Sequence, residues 1–146
     1  MQVNPLNSNL NDQDTTIWTL KKVKTITPLV ENTVKNLAAL EIIKYIRITD
    51  DSIQASSELA SNKRKIPETK PFHSTAVGIY LVYDFEYQVM QIMEINSAIK
   101  GWGEKLVQAS LNNFPHDWEV ALVFDWSSGF WDKMEQKYNH VKWLRC

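Results

Sequence analysis

Cysteine is almost absent from this chain: among 146 residues there is one, and it is the last, Cys146. A single cysteine excludes an intrachain disulfide, as expected of a protein in a reducing compartment. We therefore predict a cytoplasmic location. We interpret Cys146 as a free thiol, because a terminal residue lacks the surrounding framework that would position it as a nucleophile.

Excess charge and long apolar runs are absent as well. The formal net charge is -1 at pH 7, so the chain has no basic field that would attract nucleic acid. No apolar run approaches the roughly 20 residues that span a bilayer, and the N-terminus lacks the pattern of a secretory signal. The three histidines are separated without metal-ligand spacing. We predict no nucleic-acid partner, no membrane span and no metal.

The remaining composition is that of an ordinary globular domain. Hydrophobic residues make up 44% of the chain and charged residues 23%, which suits one domain with a single core. Residues 1–13 are polar, rich in asparagine and without hydrophobic period, so we predict a flexible tail there. Residues 14–146 are predicted to form the folded domain.

The hydrophobic pattern of the first half predicts one strand, two helices and a loop. The strand covers 14–25, and the first helix begins at Thr27-Pro28, with threonine as cap and proline in the first turn, and ends near Arg47. A weaker helix follows Asp51, and 63–71 is predicted to be a solvated loop because it combines prolines with a run of cations.

The second half is richer in apolar residues. We predict strands over 74–83 and 87–95 joined as a hairpin, a helix over 102–113, a strand over 118–124, a helix capped by Ser127 or Ser128 and a last strand over 141–144. The strands on either side of the 102–113 helix should be parallel and adjacent, joined by a right-handed crossover. This order predicts an α/β domain with a mixed sheet and helices on both faces.

The segment between the 87–95 strand and the following helix has the clearest functional pattern. It reads Ala98-Ile99-Lys100-Gly101-Trp102-Gly103. Two glycines at a strand-to-helix junction allow the backbone to approach an anion, and the free N–H groups of the first helical turn would bind it. The alternative interpretation is a plain turn, because short Gly-x-Gly pairs also occur without a ligand.

This junction resembles the signature of the GNAT acetyltransferase superfamily, Arg/Gln-x-x-Gly-x-Gly/Ala between its fourth strand and the next helix. Gly101-Trp102-Gly103 matches the Gly-x-Gly, Leu106-Val107 matches the aliphatic pair that follows, and Met93-Glu94-Ile95 is similar to the family's strand end. The element order over 14–145 also matches, although a clear second strand is missing. The resemblance implies a single GNAT-like domain with a mixed, mostly antiparallel sheet, helices on both faces, and acetyl-CoA as acyl donor.

The resemblance also implies a mechanism. An amine would attack the thioester directly, with Glu94 as base and a backbone N–H near Glu94 or Ile95 stabilising the oxyanion. A β-bulge near Glu94 would separate the strand from its neighbour. Tyr138 is the candidate acid and Trp131 a candidate wall of the site. The residues implied to contact the donor are Met93, Ile95, Lys100, Gly101, Trp102, Gly103, Glu104, Lys105 and Ser127.

The sequence departs from the family pattern at two positions. Ala98 occupies the Arg/Gln position, so a cation could come only from nearby Lys100, without the guanidinium fork. Phe130-Trp131 matches the family's Phe-Tyr, and an indole cannot act as an acid. Either Tyr138 protonates the thiolate, or solvent does, or the protein does not catalyse the reaction. For Glu94 the alternative is a solvent-facing carboxylate at a strand end.

We interpret the chain as an N-acetyltransferase acting on a small-molecule or peptide amine, and the resemblance allows a homodimer through sheet edges. Two alternatives stay open. One is a non-catalytic module that binds or senses acyl-CoA. The other is a partner-binding domain that has kept the fold and lost the cofactor.

Overall fold

The structure, a computed structural model, describes residues 15–123 and 129–145 and the backbone of Gln2–Val3. Its elements are β1 (Gln2–Val3), β2 (Thr16–Thr19), α1 (Pro28–Ala38), β3 (Tyr45–Ile48), β4 (Ser52–Ser56), β5 (Leu59–Ser61), β6 (Ile66–Pro67), β7 (Val77–Asp84), β8 (Val89–Ser97), α2 (Trp102–Leu111), β9 (Glu119–Leu122), α3 (Phe130–Lys137) and β10 (Lys142–Arg145). Among the helices of these ranges, none is long and apolar enough to cross a membrane.

Eight strands form one mixed sheet in the order β1-β2-β3-β4-β7-β8-β9-β10, and β5 and β6 form a separate two-stranded ribbon. Four neighbouring pairs are antiparallel and three are parallel. The predicted α/β class and the mostly antiparallel sheet are confirmed. So are the β7–β8 hairpin and the parallel pairing of β8 with β9 across α2.

One face of the sheet is apolar and carries the helices. Ile53, Leu81, Ile92 and Leu122 lie opposite one another on four successive strands, and all are buried. The helices lie side by side over this face: the Asn36 side chain of α1 donates to the Ala109 carbonyl of α2 at 3.1 Å, and α2 forms an ion pair with α3. This layer buries the core.

The other face is polar, and the prediction of helices on both faces is therefore wrong for the three helices described. Gln54, Tyr80 and Glu94 form the adjacent row across β4, β7 and β8, and each is half-buried. Such a row offers little apolar surface for a helix to bury. The chain after β6 covers part of it instead: a Cβ added to Gly78 would lie 2.5 Å from the Glu68 carbonyl oxygen.

Helix α1 begins as predicted but ends earlier. The Thr27 hydroxyl accepts a hydrogen bond from the Val30 N–H at 3.3 Å, which confirms the cap. The helix ends at Ala38, and Tyr45–Ile48 forms strand β3 in place of the predicted last helical turns. Along β3 buried and half-buried residues alternate, the two-residue period of a strand.

Three other predictions in the first half differ from the structure. The weaker helix after Asp51 is wrong: Ser52–Ser56 is strand β4, which pairs with β3 and β7. The 63–71 loop includes the short strand β6. The first strand is limited to Thr16–Thr19. For β4, sheet pairing with distant β7 decides the conformation, which local propensity does not encode.

Two further predictions concern the N-terminal segment, expected to be a flexible tail, and the start of α3, expected to have a serine cap. Gln2–Val3 pairs antiparallel with β2, whereas 4–14 lie outside the described residues, as do Ser127 and Ser128. The residue that caps α3 is Gly129, with no side-chain hydrogen bond. The helix therefore begins one or two residues later than a serine cap would place it.

Candidate functional site

The site is a gap that opens between β8 and β9. The two strands pair in parallel from Val89–Glu119 to Ile92–Leu122, and the Val123 N–H still reaches the Ile92 carbonyl at 3.4 Å. Strand β8 continues to Ser97, whereas β9 ends at Leu122. The last part of β8 still pairs with β7 on one side. On its other side, within the residues described, it faces the gap instead of β9.

A β-bulge lies where the strands separate. Tyr80 is opposite Glu94 and Leu81 is opposite Ile92, so Met93 is an extra residue in β8. This confirms the bulge predicted near Glu94. A bulge bends its strand and increases the local twist, which is a physical reason for β8 to leave β9 at this point.

The bulge determines which backbone groups of β8 face the gap. The Ala98 N–H donates to the Ala76 carbonyl at 3.1 Å. Antiparallel ladders alternate, so Asn96 and Glu94 also direct their backbone groups toward β7. The N–H and C=O of Ile95 therefore point the other way, into the gap. An extended ligand could bond to them as an added strand would.

The gap encloses a volume of about 260 Å³. Its lining residues come from the loop after β6, from β8, and from the starts of α2 and α3: Pro71, Phe72, Ile92, Met93, Glu94, Ile95, Asn96, Ser97, Gly103, Phe130 and Trp131. We refer to this gap as the cleft. Five of the predicted site residues meet here: Met93, Glu94, Ile95, Gly103 and Trp131.

Aromatic rings from α3 form the helix-side wall of the cleft. The Phe130 and Trp131 ring centroids lie 5.0 Å apart at an interplanar angle of 77°. Trp131 is 2% exposed and also packs near Trp143, with 6.1 Å between centroids. Trp131 is therefore both a core residue and a wall of the cleft, which combines the two roles expected of it.

The Glu94 carboxylate is held from the opposite face of the sheet. The Thr69 hydroxyl donates to Glu94 Oε1 at 2.7 Å, and Thr69 is itself only 2% exposed. Glu94 is thus not a freely solvated strand-end carboxylate. One oxygen has a fixed donor, and the residue lines the cleft.

The loop that carries Thr69 is fixed by His73 and Asn96. His73 Nδ1 accepts hydrogen bonds from the backbone N–H groups of Thr75 at 3.3 Å and Ala76 at 3.0 Å. The Asn96 side-chain amide donates to the His73 carbonyl at 3.0 Å and to the Ala76 carbonyl at 2.6 Å. These bonds join the loop to β8 and so hold Thr69 against Glu94.

The predicted anion site lies at the start of α2. Gly101 is the N-cap, with φ 92 and no side-chain cap bond, and a Cβ added there would meet nothing within 4 Å. The Trp102 N–H donates to the Ile99 carbonyl at 3.3 Å, so the N–H groups left for an anion are those that follow it in the first turn, which have no intrahelical acceptors. Gly103 packs against the start of α3, because its added Cβ would lie 3.4 Å from the Phe130 ring. The open Gly101 turn and the cleft are therefore adjacent.

The cations predicted near this turn occupy its surface. Lys100 is exposed. Lys105 Nζ lies 4.2 Å from the centroid of the Trp102 ring, a cation–π contact. Both ammonium groups are near the start of α2, where they would favour an anion.

The Glu104 side chain faces α3, so the predicted contact of Glu104 with the donor would be through its backbone N–H. It forms an ion pair with Lys137 of α3, and Lys133 Nζ lies 4.0 Å away. The hydrogen bond from Lys137 lowers the pKa of Glu104 and raises that of Lys137. Only the backbone N–H of Glu104 stays a candidate for donor binding.

Tyr138 is not brought to the cleft. It follows α3 as the C-cap, and about 12 Å of helix axis separates it from Phe130. Its carbonyl accepts from Trp143 Nε1 at 3.0 Å, and desolvation raises its pKa. The geometry therefore gives no support to Tyr138 as the acid. Ser127, the remaining predicted contact, lies outside the described residues.

Sequence reasoning missed Thr69, Phe72 and His73. They lie in a loop whose only local signal is a proline beside an exposed aromatic residue, and nothing in its spacing shows that it crosses the polar face of the sheet. No group of three or more potential metal ligands occurs among the residues that the structure describes. Comparisons with protein-family models, with curated proteins and with solved structures find no match.

Proposed function

We propose that this protein is an N-acetyltransferase that transfers an acetyl group from acetyl-CoA to an amine bound in the cleft. One observation carries the proposal: β8 leaves β9 at the Met93 bulge, directly beside the uncapped start of α2. A free strand edge and a free helix N-terminus suit the two halves of acyl-CoA, an extended amide-containing arm and a pyrophosphate.

The donor would lie along the helix side of the cleft. The first-turn N–H groups of α2 bind the pyrophosphate, with Lys100 and Lys105 adding positive charge nearby. The Ile95 carbonyl accepts a hydrogen bond from the arm, and Trp131 forms the wall beside the thioester. The thioester carbonyl then lies close to Glu94, at the point where the two strands separate.

The reaction follows from this arrangement. Glu94 accepts a proton from the amine, whose nitrogen forms a bond to the thioester carbonyl carbon. The Ile95 N–H donates to the carbonyl oxygen as that oxygen becomes negative. The carbon–sulfur bond then breaks, and solvent protonates the departing thiolate, because the Trp131 indole has no acidic proton to give.

Binding of the donor can be tested by thermal unfolding and calorimetry with acetyl-CoA. A ligand at 100 times its Kd stabilises the folded state by about 2.7 kcal/mol, a shift on the order of several degrees. We expect this shift for the native chain and its loss in Gly101→Asp, which places a carboxylate at the anion site.

Gly129→Asp is the matched control. Gly129 is the cap of α3, has φ 91, and like Gly101 has nothing within 4 Å of an added Cβ. Both variants add the same charge and the same backbone strain, about 1–2 kcal/mol, but only Gly101→Asp should lose acetyl-CoA binding. No shift at millimolar acetyl-CoA would contradict the proposal and favour a partner-binding domain.

A second function, acyl-CoA binding without catalysis, is favoured by one observation. Tyr138 lies away from the cleft and Trp131 cannot donate a proton, so the described cleft residues provide no acid for the thiolate. Release of free CoA in the presence of amines distinguishes the two functions. Binding of acetyl-CoA without release of CoA on any amine would assign the non-catalytic role.

A further inference from the structure

The cleft reaches both faces of the sheet, and the two sides differ in character. On the helix side are Gly103, Phe130 and Trp131. On the polar side are Pro71 and Phe72, carried by the same loop that holds Glu94 through Thr69. If the donor occupies the helix side, the polar side is left for the acceptor.

Phe72 is unusual in two respects. Its side chain is 76% exposed, and its backbone has φ 66, a left-handed conformation that L-residues with large side chains rarely adopt. The bonds of His73 and Asn96 hold the loop in this shape. A strained backbone that presents an aromatic ring at the mouth of a cleft is a feature that functional sites retain.

Charge and aromatic surface in the cleft point to one kind of ligand. Among the lining residues that the structure describes, Glu94 is the charged one, and Phe72, Phe130 and Trp131 provide aromatic surface. A carboxylate in a cleft that also has an aromatic ring at its mouth attracts an ammonium ion, by charge and by cation–π contact. The volume of about 260 Å³ is slightly below the range of sites for drug-sized ligands, so the group that enters is small.

We propose that the acceptor is a small primary amine with a single positive charge and an aromatic or aliphatic body, such as 2-phenylethylamine. Glu94 binds the ammonium group before accepting its proton, and Phe72 packs against the body. An acceptor with its own carboxylate would be repelled by Glu94, and a polyamine has additional ammonium groups for which the described lining residues provide no second carboxylate. This inference rests on the proposed acetyltransferase function.

A matched set of acceptors tests the specificity. With acetyl-CoA at saturation, kcat/KM for 2-phenylethylamine should exceed that for phenylalanine, which adds a carboxylate to the same skeleton, and that for spermidine by at least tenfold. Phe72→Ala should raise the KM for 2-phenylethylamine at least tenfold with little change in kcat, and Phe72→Leu should restore part of the affinity. Tyr87→Ala is the control, because Tyr87 is an exposed aromatic residue outside the cleft.

Direct binding separates failure of this inference from failure of the proposed function. Calorimetry of 2-phenylethylamine with the native protein, Phe72→Ala and Glu94→Gln needs no acetyl-CoA and no turnover. Binding that weakens at least tenfold in both variants supports the amine site even if acetyl-CoA does not bind. Absence of binding to the native protein, equal binding by Phe72→Ala, or a preference for spermidine or phenylalanine would overturn the inference.

Discussion

At the level of single residues, the Thr69 hydroxyl determines how Glu94 is oriented. The hydroxyl donates a hydrogen bond to Glu94 Oε1 at 2.7 Å, and Thr69 itself is buried. Thr69→Val keeps the shape of the side chain and removes the donor. We expect kcat to fall about 10- to 100-fold, because small misplacement of a reacting group has effects of this order, with the KM for acetyl-CoA unchanged.

Thr69→Ser is the control for this prediction, since it keeps the hydroxyl and should retain most of the turnover. Steady-state kinetics that separate kcat from KM provide the measurement. If Thr69→Val turns over as fast as the native protein, the bond does not position Glu94 for catalysis.

Tyr83 provides a test in alkaline solution. Burial raises its pKa well above the ordinary value of 10.0, and the neighbouring Thr33 hydroxyl offsets a smaller part of the shift. The unfolded chain ionises Tyr83 first as the pH rises, so the folded state loses stability above pH 10.0. Tyr83→Phe removes the ionising group, so the free energy of unfolding of this variant should fall less steeply above pH 10.0.

At neutral pH, Tyr83→Phe should change the free energy of unfolding by no more than about 1 kcal/mol, because the buried hydroxyl that it removes has no hydrogen-bond partner among the described residues. Denaturant unfolding at pH 7 and above pH 10 measures both effects. Tyr87→Phe is the control, because Tyr87 is exposed. If the free energy of unfolding falls equally with rising pH in the native protein and in Tyr83→Phe, the prediction is contradicted.

At the level of elements, the ion pair between Glu104 and Lys137 joins α2 to α3 beside the cleft. The pKa of Glu104 is lowered, so its contribution to stability is present above 4.5, its ordinary pKa, and is lost as the pH falls. The pKa of Lys137 is raised, so its contribution is present below 10.5 and is lost as the pH rises. The pair stabilises the fold between these limits.

Glu104→Gln should therefore lower the melting temperature at pH 7, and the difference from the native protein should shrink as the pH falls below 4.5. The pair is exposed, so the effect should be small and should decrease with salt. Lys133→Met is the control, because Lys133 lies at 4.0 Å from Glu104 and should matter less. If the difference in melting temperature between Glu104→Gln and the native protein stays the same at acid pH, packing and not charge is its cause.

Elements with strong local signals were predictable from the sequence, and those fixed by pairing were not. The Thr27-Pro28 cap, the β7–β8 hairpin and helix α2 each have local determinants, and the structure confirms them. The prediction of a helix at strand β4 is wrong. Its pairing with β7, some 25 residues further along the chain, is absent from any local pattern. The same limit applied to the site: the β8 residues followed from the motif, whereas Thr69 and Phe72 depend on where a distant loop crosses the sheet.

At the level of the whole molecule, the one-sided helix layer gives the cleft two different approaches. The helices cover the apolar face, and among the residues that the structure describes the polar face carries only the ribbon and the loop after β6. A ligand that enters from the helix side meets backbone N–H groups and a strand edge. One that enters from the polar side meets Phe72 and Glu94. In the proposed reaction, the donor and the acceptor would therefore reach the same point without competing for one opening.

The order of strands in the sheet has a consequence for the way the chain folds. Apart from the β5–β6 ribbon, each strand of the large sheet pairs with the strand before it in the sequence. Of these pairings, the β3–β4 and β7–β8 hairpins are local, whereas the parallel pairs join residues 23 to 30 positions apart, and non-local pairing of this kind slows folding. During synthesis the sheet can grow from one edge as each strand leaves the ribosome. The cleft then forms only after α3 has left the ribosome, because Phe130 and Trp131 of α3 provide one of its walls.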